Sequence, residues 1–266
     1  MIIVQPINRP EKGVFVHRRM FKFEKMNKSH MLWLATVRCQ AHGVTYIQHP
    51  NCYFQDLESG KIPQTIDQEE RIGFLDIEAS NLKGTFGYMF SYCIKKLDGE
   101  VISRVVLPRD IQHSDQWLDR GLCIQFCKDV HQFDRLVVYW GKDWRYDVPF
   151  LRTRTLYWKQ IALRDGDTEV AKALDFPEYM ELYVEDLFDT VKKKFRLHNN
   201  RLATFCRFMN IESKGHPLDP EVWNRALAGF QDALEYIVTH NIEDVHSTEQ
   251  AWKITRNFVN RPRTSI

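Results

Sequence analysis

Two groups of side chains in this chain of 266 residues have the types and spacing to do chemistry. The first group is dispersed. In RIGFLDIEASNL, residues 71–82, an apolar, strand-like run ends in Asp76 and Glu78, one residue apart. Side chains at i and i+2 share a strand face, so these carboxylates stand side by side and repel unless a cation sits between them. A strand edge running into solvent accounts for the same pair. Asp147, in GKDWRYDVPFLRTR, opens a helix-like stretch, and Asp244, in THNIEDVHSTEQ, follows His240 by four residues on one helical face. Taken singly, Asp147 reads as a first-turn acid favoured by the helix dipole, and His240 with Asp244 as a surface pair. Together the four carboxylates make an oxygen-ligand site for hard divalent cations such as Mg²⁺ or Mn²⁺.

The second group is contiguous. RCQAHGVTYIQHPNC holds Cys39-x2-His42-x6-His49-x2-Cys52. Two cysteines and two histidines are a standard tetrahedral zinc set, and the doubled short spacing suits one structural Zn²⁺. Two buried thiols beside two surface histidines are the bland alternative. Cys123 and Cys127 have no paired ligands near them in sequence and read as core.

These residues need elements to position them. Residues 59–71, SGKIPQTIDQEER, are polar with Gly and Pro and read as a linker. They separate a front unit, residues 1–58, from a larger domain, residues 72–266. In the larger domain GFLDIE, FGYMFSYCIKK (86–96) and VISRVVL read as three strands, the last two joined by a turn at Asp98-Gly99. SDQWLDRGLCIQFCKDV reads as a helix with Ser114 or Asp115 as cap, RLVVYW as a strand, DVPFLRTRTLYWKQIAL as a helix and ELYVEDL as a short strand. Three helical stretches follow, the last from about Gln231 to Phe258. The first three strands form an antiparallel meander and the later two, separated by helices, run parallel to the first. The expected fold is an α/β mixed sheet flanked by helices, with the first strand central and Asp76 and Glu78 at its end, where sites in such sheets gather.

The composition, 44% hydrophobic and 27% charged, is that of a folded globular protein, and the formal net charge of +2 says little about partners. No apolar run approaches the ~20 residues needed to cross a bilayer. The N-terminus, MIIVQPINRP, lacks the pattern of a signal peptide, so a reducing, cytoplasmic setting is expected. Seven Lys or Arg between Arg9 and Lys28 suit either a nucleic-acid footprint or a solvated arm. The run Lys192, Lys193, Lys194 and Arg196 has the same two readings.

On these motifs the chain resembles the DEDD exonucleases of the ribonuclease H-like fold, over residues 71 to about 258. DIEASNL matches the first motif with Asp76, Glu78 and Leu82; DWRYD matches the second with Asp147; HNIED matches the third with His240 and Asp244. The chain looks closest to the DnaQ-like branch found in viruses of bacteria and archaea, which would put it in the host cytoplasm. It departs from the pattern twice: Asp143 replaces the usual Asn of the second motif, and His240 stands at the spacing where one subtype has Tyr.

The resemblance implies 3′–5′ exonuclease action on DNA or RNA by two Mg²⁺ or Mn²⁺ ions. Asp76 would bridge both, Glu78 and Asp244 would complete one shell, and Asp147 would hold the other ion. His240 would orient the attacking water or accept its proton. Leu82 would pack on the terminal base, or serve as a core leucine. Arg152 and Arg154 would meet phosphates, or lie on a salt-bridged helix face. Nucleic acid is the implied partner, with a polymerase or other replication protein beside it. The rival readings are a ribonuclease H-type endonuclease on the same fold and a non-catalytic, zinc-containing nucleic-acid-binding protein.

Overall fold

The computed structural model of the chain describes residues 33–62, 71–112, 118–177, 182–212 and 215–258. Its described residues divide into two units, one of residues 33–62 and one of residues 71–258. The basic cluster from Arg9 to Lys28, most of the linker, and Ser114 and Asp115 lie outside the described residues.

In the first unit the helix α1 (Pro50–Glu58) follows an isolated bridge between Arg38 and Thr45. Leu34, Cys39, Tyr46, Cys52, Tyr53 and Ile62 form its small apolar centre.

The second unit is built on five strands: β1 (Ile72–Ala79), β2 (Met89–Lys96), β3 (Val101–Val105), β4 (Arg135–Val138) and β5 (Tyr183–Asp186). The spatial order is β3-β2-β1-β4-β5. β2 runs antiparallel to β1 and β3, while β4 is parallel to β1 and β5 parallel to β4. This is the mixed sheet expected from the sequence, with β1 central. Its helices are α2 (Pro108–Gln112), α3 (Arg120–Val130), α4 (Asp147–Arg164), α5 (Thr168–Ala173), α6 (Leu187–Lys194), α7 (Leu202–Phe208), α8 (Pro220–Leu227) and α9 (Gln231–Thr255).

Strand period explains the layers. Leu75, Ile77 and Ala79 of β1 pack into one core with Phe126 of α3 and Leu151 of α4. Ile72 and Phe74 enter a second core with Val191 of α6 and Val245 and Trp252 of α9. Asp76 and Glu78 share the parity of Phe74, so they stand on the face that α9 covers.

Several boundaries differ from expectation. β2 begins at Met89 because Phe86 and Gly87 both donate to the Lys83 carbonyl in a turn. β4 stops at Val138, two residues before Trp140 turns to φ 65. Among the described residues four helices, not three, follow β5, the first capped directly by Asp186 through the Phe188 N–H at 3.0 Å. The last helix ends at Thr255 in a 3-10 turn over Arg256–Phe258.

Candidate active site

The acids meet where β1 leaves the sheet. Pairing of β1 with β4 is recorded from Ile72 to Phe74 and with β2 up to Ala79, with a bulge between Glu78 and Ala79. Beyond Phe74 the β4 side of β1 is open to another partner, and Asp147 takes it. Its Oδ1 accepts the Ile77 N–H at 3.1 Å, so the first residue of α4 is fastened to the strand between Asp76 and Glu78. Burial, then the charges of Asp186 and Asp244, push the Asp147 carboxyl up to about 7, against the pull of its backbone donors.

Gly141 is what admits Asp147 there. A Cβ at Gly141 would lie 2.1 Å from Asp147 Oδ2. The loop between β4 and α4 is held by Asp186 at the end of β5. Asp186 accepts from Trp140 N at 2.9 Å, Lys142 N at 3.0 Å and the Arg145 guanidinium at 2.5 Å. Asp143 sits in this loop at φ 59 and is exposed. Asn and Asp both tolerate that conformation, so the departure from the usual Asn leaves the turn intact and sends its charge to solvent.

α9 brings the remaining groups. Its far end is anchored by Trp252, which packs edge-on against Phe74 at 5.7 Å and donates to Glu185 at 3.2 Å. Lys95 and Glu249 add a buried ion pair at 2.9 Å. These contacts set the register that puts His240, Asn241 and Asp244 over the end of β1. Glu78, His240 and Asp244 offer ligand atoms that all lie within 4.8 Å of one another. His240 Nε2 is 3.4 Å from Glu78 Oε1 and 3.7 Å from Asp244 Oδ2. His240 Nδ1 lies 2.6 Å from the His216 carbonyl oxygen, which can only accept, so the Nδ1 proton is fixed there and Nε2 faces the carboxylates. His216 is in turn held by Glu243 through its Nδ1, at 2.6 Å.

Asp76 joins through a residue that sequence reading passed over. Asn241 is fully buried and donates from Nδ2 to Asp76 Oδ2 at 2.6 Å. Ser91, opposite Glu78 on β2, lies 3.3 Å from the Asn241 Oδ1. The position of Asn241 beside His240 was a visible signal, but nothing in the sequence said which α9 side chain would reach back to β1. Asp186 and Gly141 were likewise unread, since each acts through a contact distant in sequence.

The other expected residues divide. Leu82 is 70% exposed on the loop after β1, which rules out the core-leucine reading. Arg154 follows the salt-bridged alternative and is not available to phosphates. It is turned inward, and its guanidinium binds the fully buried Asp119 at 2.6 Å and the Gly84 carbonyl at 3.1 Å. Asp119 also accepts from Trp158 and from Met89 N, both at 2.8 Å, so this buried pair joins α3, α4 and the start of β2. Arg152 is exposed and lies over the Phe176 ring at 5.5 Å. Lys192, Lys193 and Lys194 form the last turn of α6, where cations meet the negative end of the helix dipole. Cys123 and Cys127 are buried core thiols.

A site of convergent carboxylates is a set of oxygen acceptors, and such a set fits a hard divalent cation. The positive charge would lower the cost of ionising Asp147.

Comparison with known proteins bears on the fold. No curated protein matches the chain by sequence. Among solved structures it is similar to the family B DNA polymerase from the hyperthermophilic archaeon Pyrobaculum calidifontis, with 20% identity over 70% of this chain and a TM-score of 0.48. The chain spans only 25% of that polymerase's length. The family model described as the RNase_H superfamily matches residues 73–254, all of the sheet but Ile72 and nearly all of α9. The chain therefore belongs to the RNase H superfamily.

Proposed function

We propose that the second unit is a metal-dependent 3′–5′ exonuclease acting on DNA or RNA. The observation that carries this reading is the convergence of Glu78, His240 and Asp244, with Asp76 and Asp147 fastened beside them, at the end of the central strand. The site would take a pair of Mg²⁺ or Mn²⁺ ions, which when bound would activate water and stabilise the leaving oxygen. Glu78, Asp244, Asp76 and Asp147 would hold them. Asn241 orients the Asp76 carboxylate. His240 accepts the proton of the attacking water at Nε2, because its Nδ1 proton is committed to the His216 carbonyl. The imidazolium that results is stabilised by Glu78 and Asp244 on either side.

The loops around the site suit unstacked bases. Leu82 and Phe86, after Glu78, and Trp144, before Asp147, are 70%, 85% and 80% exposed. Exposed aromatic faces stack on bases of any sequence, so a single-stranded 3′ end is the favoured substrate.

The test is digestion of single- and double-stranded DNA and RNA, labelled at either end, with and without Mg²⁺ or Mn²⁺. Release of labelled mononucleotide from the 3′ end, with a covalently closed circle left intact, supports the reading. Cutting of the circle would move the assignment to an endonuclease. Equal turnover by Asp76→Asn would remove the site altogether.

A further inference from the structure

The nuclease reading leaves the first unit unused. We infer that Cys39, His42, His49 and Cys52 bind one structural zinc ion, a closed Cys₂His₂ site that holds the first unit folded independently of the nuclease chemistry.

The ligand atoms are spaced closely enough to share one tetrahedral ion. Zinc with Zn–S of ~2.3 Å and Zn–N of ~2.0–2.1 Å separates sulfur and nitrogen ligands by about 3.6 Å. Cys52 Sγ lies 3.3 Å from His42 Nδ1, and Cys39 Sγ lies 3.8 Å from His42 Nδ1 and 3.9 Å from His49 Nδ1. All four ligand atoms fall within 4.8 Å of one another. Both histidines present the same nitrogen, Nδ1, to the sulfurs.

Local structure sets this arrangement from both sides. Cys39 opens a tight turn in which Gly43 N donates to the Cys39 carbonyl at 2.9 Å and Cys39 N to the Val44 carbonyl at 2.8 Å. Gly43 stands at φ +66, a conformation that favours glycine. His49 and Cys52 bracket the start of α1, and Cys52 N donates to the His49 carbonyl at 3.1 Å. The three-residue helical spacing turns both side chains to one face.

Energetics point the same way. Among the described residues the apolar centre of this unit has six buried side chains, with Trp33 stacked on Tyr46 at 5.2 Å. Units this small need a staple, most often disulfides or a metal. The thiols are free rather than bridged. Two thiolates offset the charge of Zn²⁺, which suits burial of Cys39, Cys52 and His49.

The full chain, purified without chelator and dialysed against excess Mg²⁺, should retain about one zinc per molecule by elemental analysis. Cobalt substitution should give the visible bands of a tetrahedral centre and a thiolate charge-transfer band. The Cys39→Ser, Cys52→Ser double variant should lose both signals. His42→Ala covers the case in which that variant fails to fold, because His42 is exposed and its loss opens no core. It should weaken zinc retention by more than the ~10–100-fold that loss of even an outer partner costs. Asp76→Asn should keep its zinc, which separates this site from the nuclease site. Zinc-free protein with a folded first unit, a Cys39–Cys52 disulfide under reducing conditions, or full zinc retention by His42→Ala would each overturn the assignment.

Discussion

Replacing Asp147 by Asn should make stability less dependent on pH while abolishing hydrolysis. The carboxyl moves from its ordinary 3.8 to about 7 in the folded chain, chiefly through burial. Between about pH 4 and pH 7 the native state keeps a proton that the unfolded chain has released, so stability falls as pH rises through that window. At ~1.4 kcal/mol per pH unit, the loss attributable to this group is about 4 kcal/mol, complete above pH 7 and absent below pH 4. Asn keeps an oxygen to accept the Ile77 N–H, but its amide brings a new donor that needs a partner, so the informative quantity is the change in slope. Urea unfolding of wild type and Asp147→Asn from pH 4 to 8.5, in metal-free buffer without chelator, measures it. Wild type should lose about 4 kcal/mol more than the variant across the window. Adding Mg²⁺ or Mn²⁺ at 100 times its dissociation constant should then restore about 2.7 kcal/mol to wild type above pH 7, and less to the variant. Parallel curves with and without the substitution would refute the burial argument, and equal restoration of both proteins by the metal would refute the proposed placement of Asp147 at a cation site.

Other expectations test the supports of the site. Gly141→Ala places a methyl 2.1 Å from Asp147 Oδ2, so activity should fall by about 10²-fold or more, as misplacement of a reacting group by ~1 Å does; circular dichroism should show the sheet intact. Asn241→Leu should lower kcat with little change in KM and raise the Mn²⁺ concentration needed for half-maximal rate, whereas Asn241→Gln, which keeps the amide, should recover part of the loss. Unchanged metal dependence in Asn241→Leu would make the 2.6 Å contact with Asp76 incidental. Asp119→Ala strands the buried Arg154 guanidinium and should cost about 3–5 kcal/mol in denaturant unfolding; a cost below about 1 kcal/mol would mean that water reaches that pair.

The sequence by itself determined the sheet and the acids within it. Strand alternation in GFLDIE, the Asp98-Gly99 turn and the later strand–helix alternation are local signals, and local sterics with burial periodicity decide them. The i, i+2 and i, i+4 spacings put Asp76 with Glu78, and His240 with Asp244, on common faces. The spacing of Cys39, His42, His49 and Cys52 is equally local, since a tight turn and a helix start are enough to aim two of these side chains each. Only the tertiary structure decided which of two faces a polar residue met. Arg154 and Arg152 are two positions apart on α4, yet one is buried against Asp119 and the other is exposed over Phe176. That choice depends on α3 and the loop at Gly84 packing onto α4. Asn241 reached Asp76, Asp186 held the loop before Asp147, and Gly141 made room for it through contacts between elements far apart in the chain. Such contacts form only once the sheet has fixed the register of α9 and the start of α4, because a residue type states what it can bond to and packing supplies the partner.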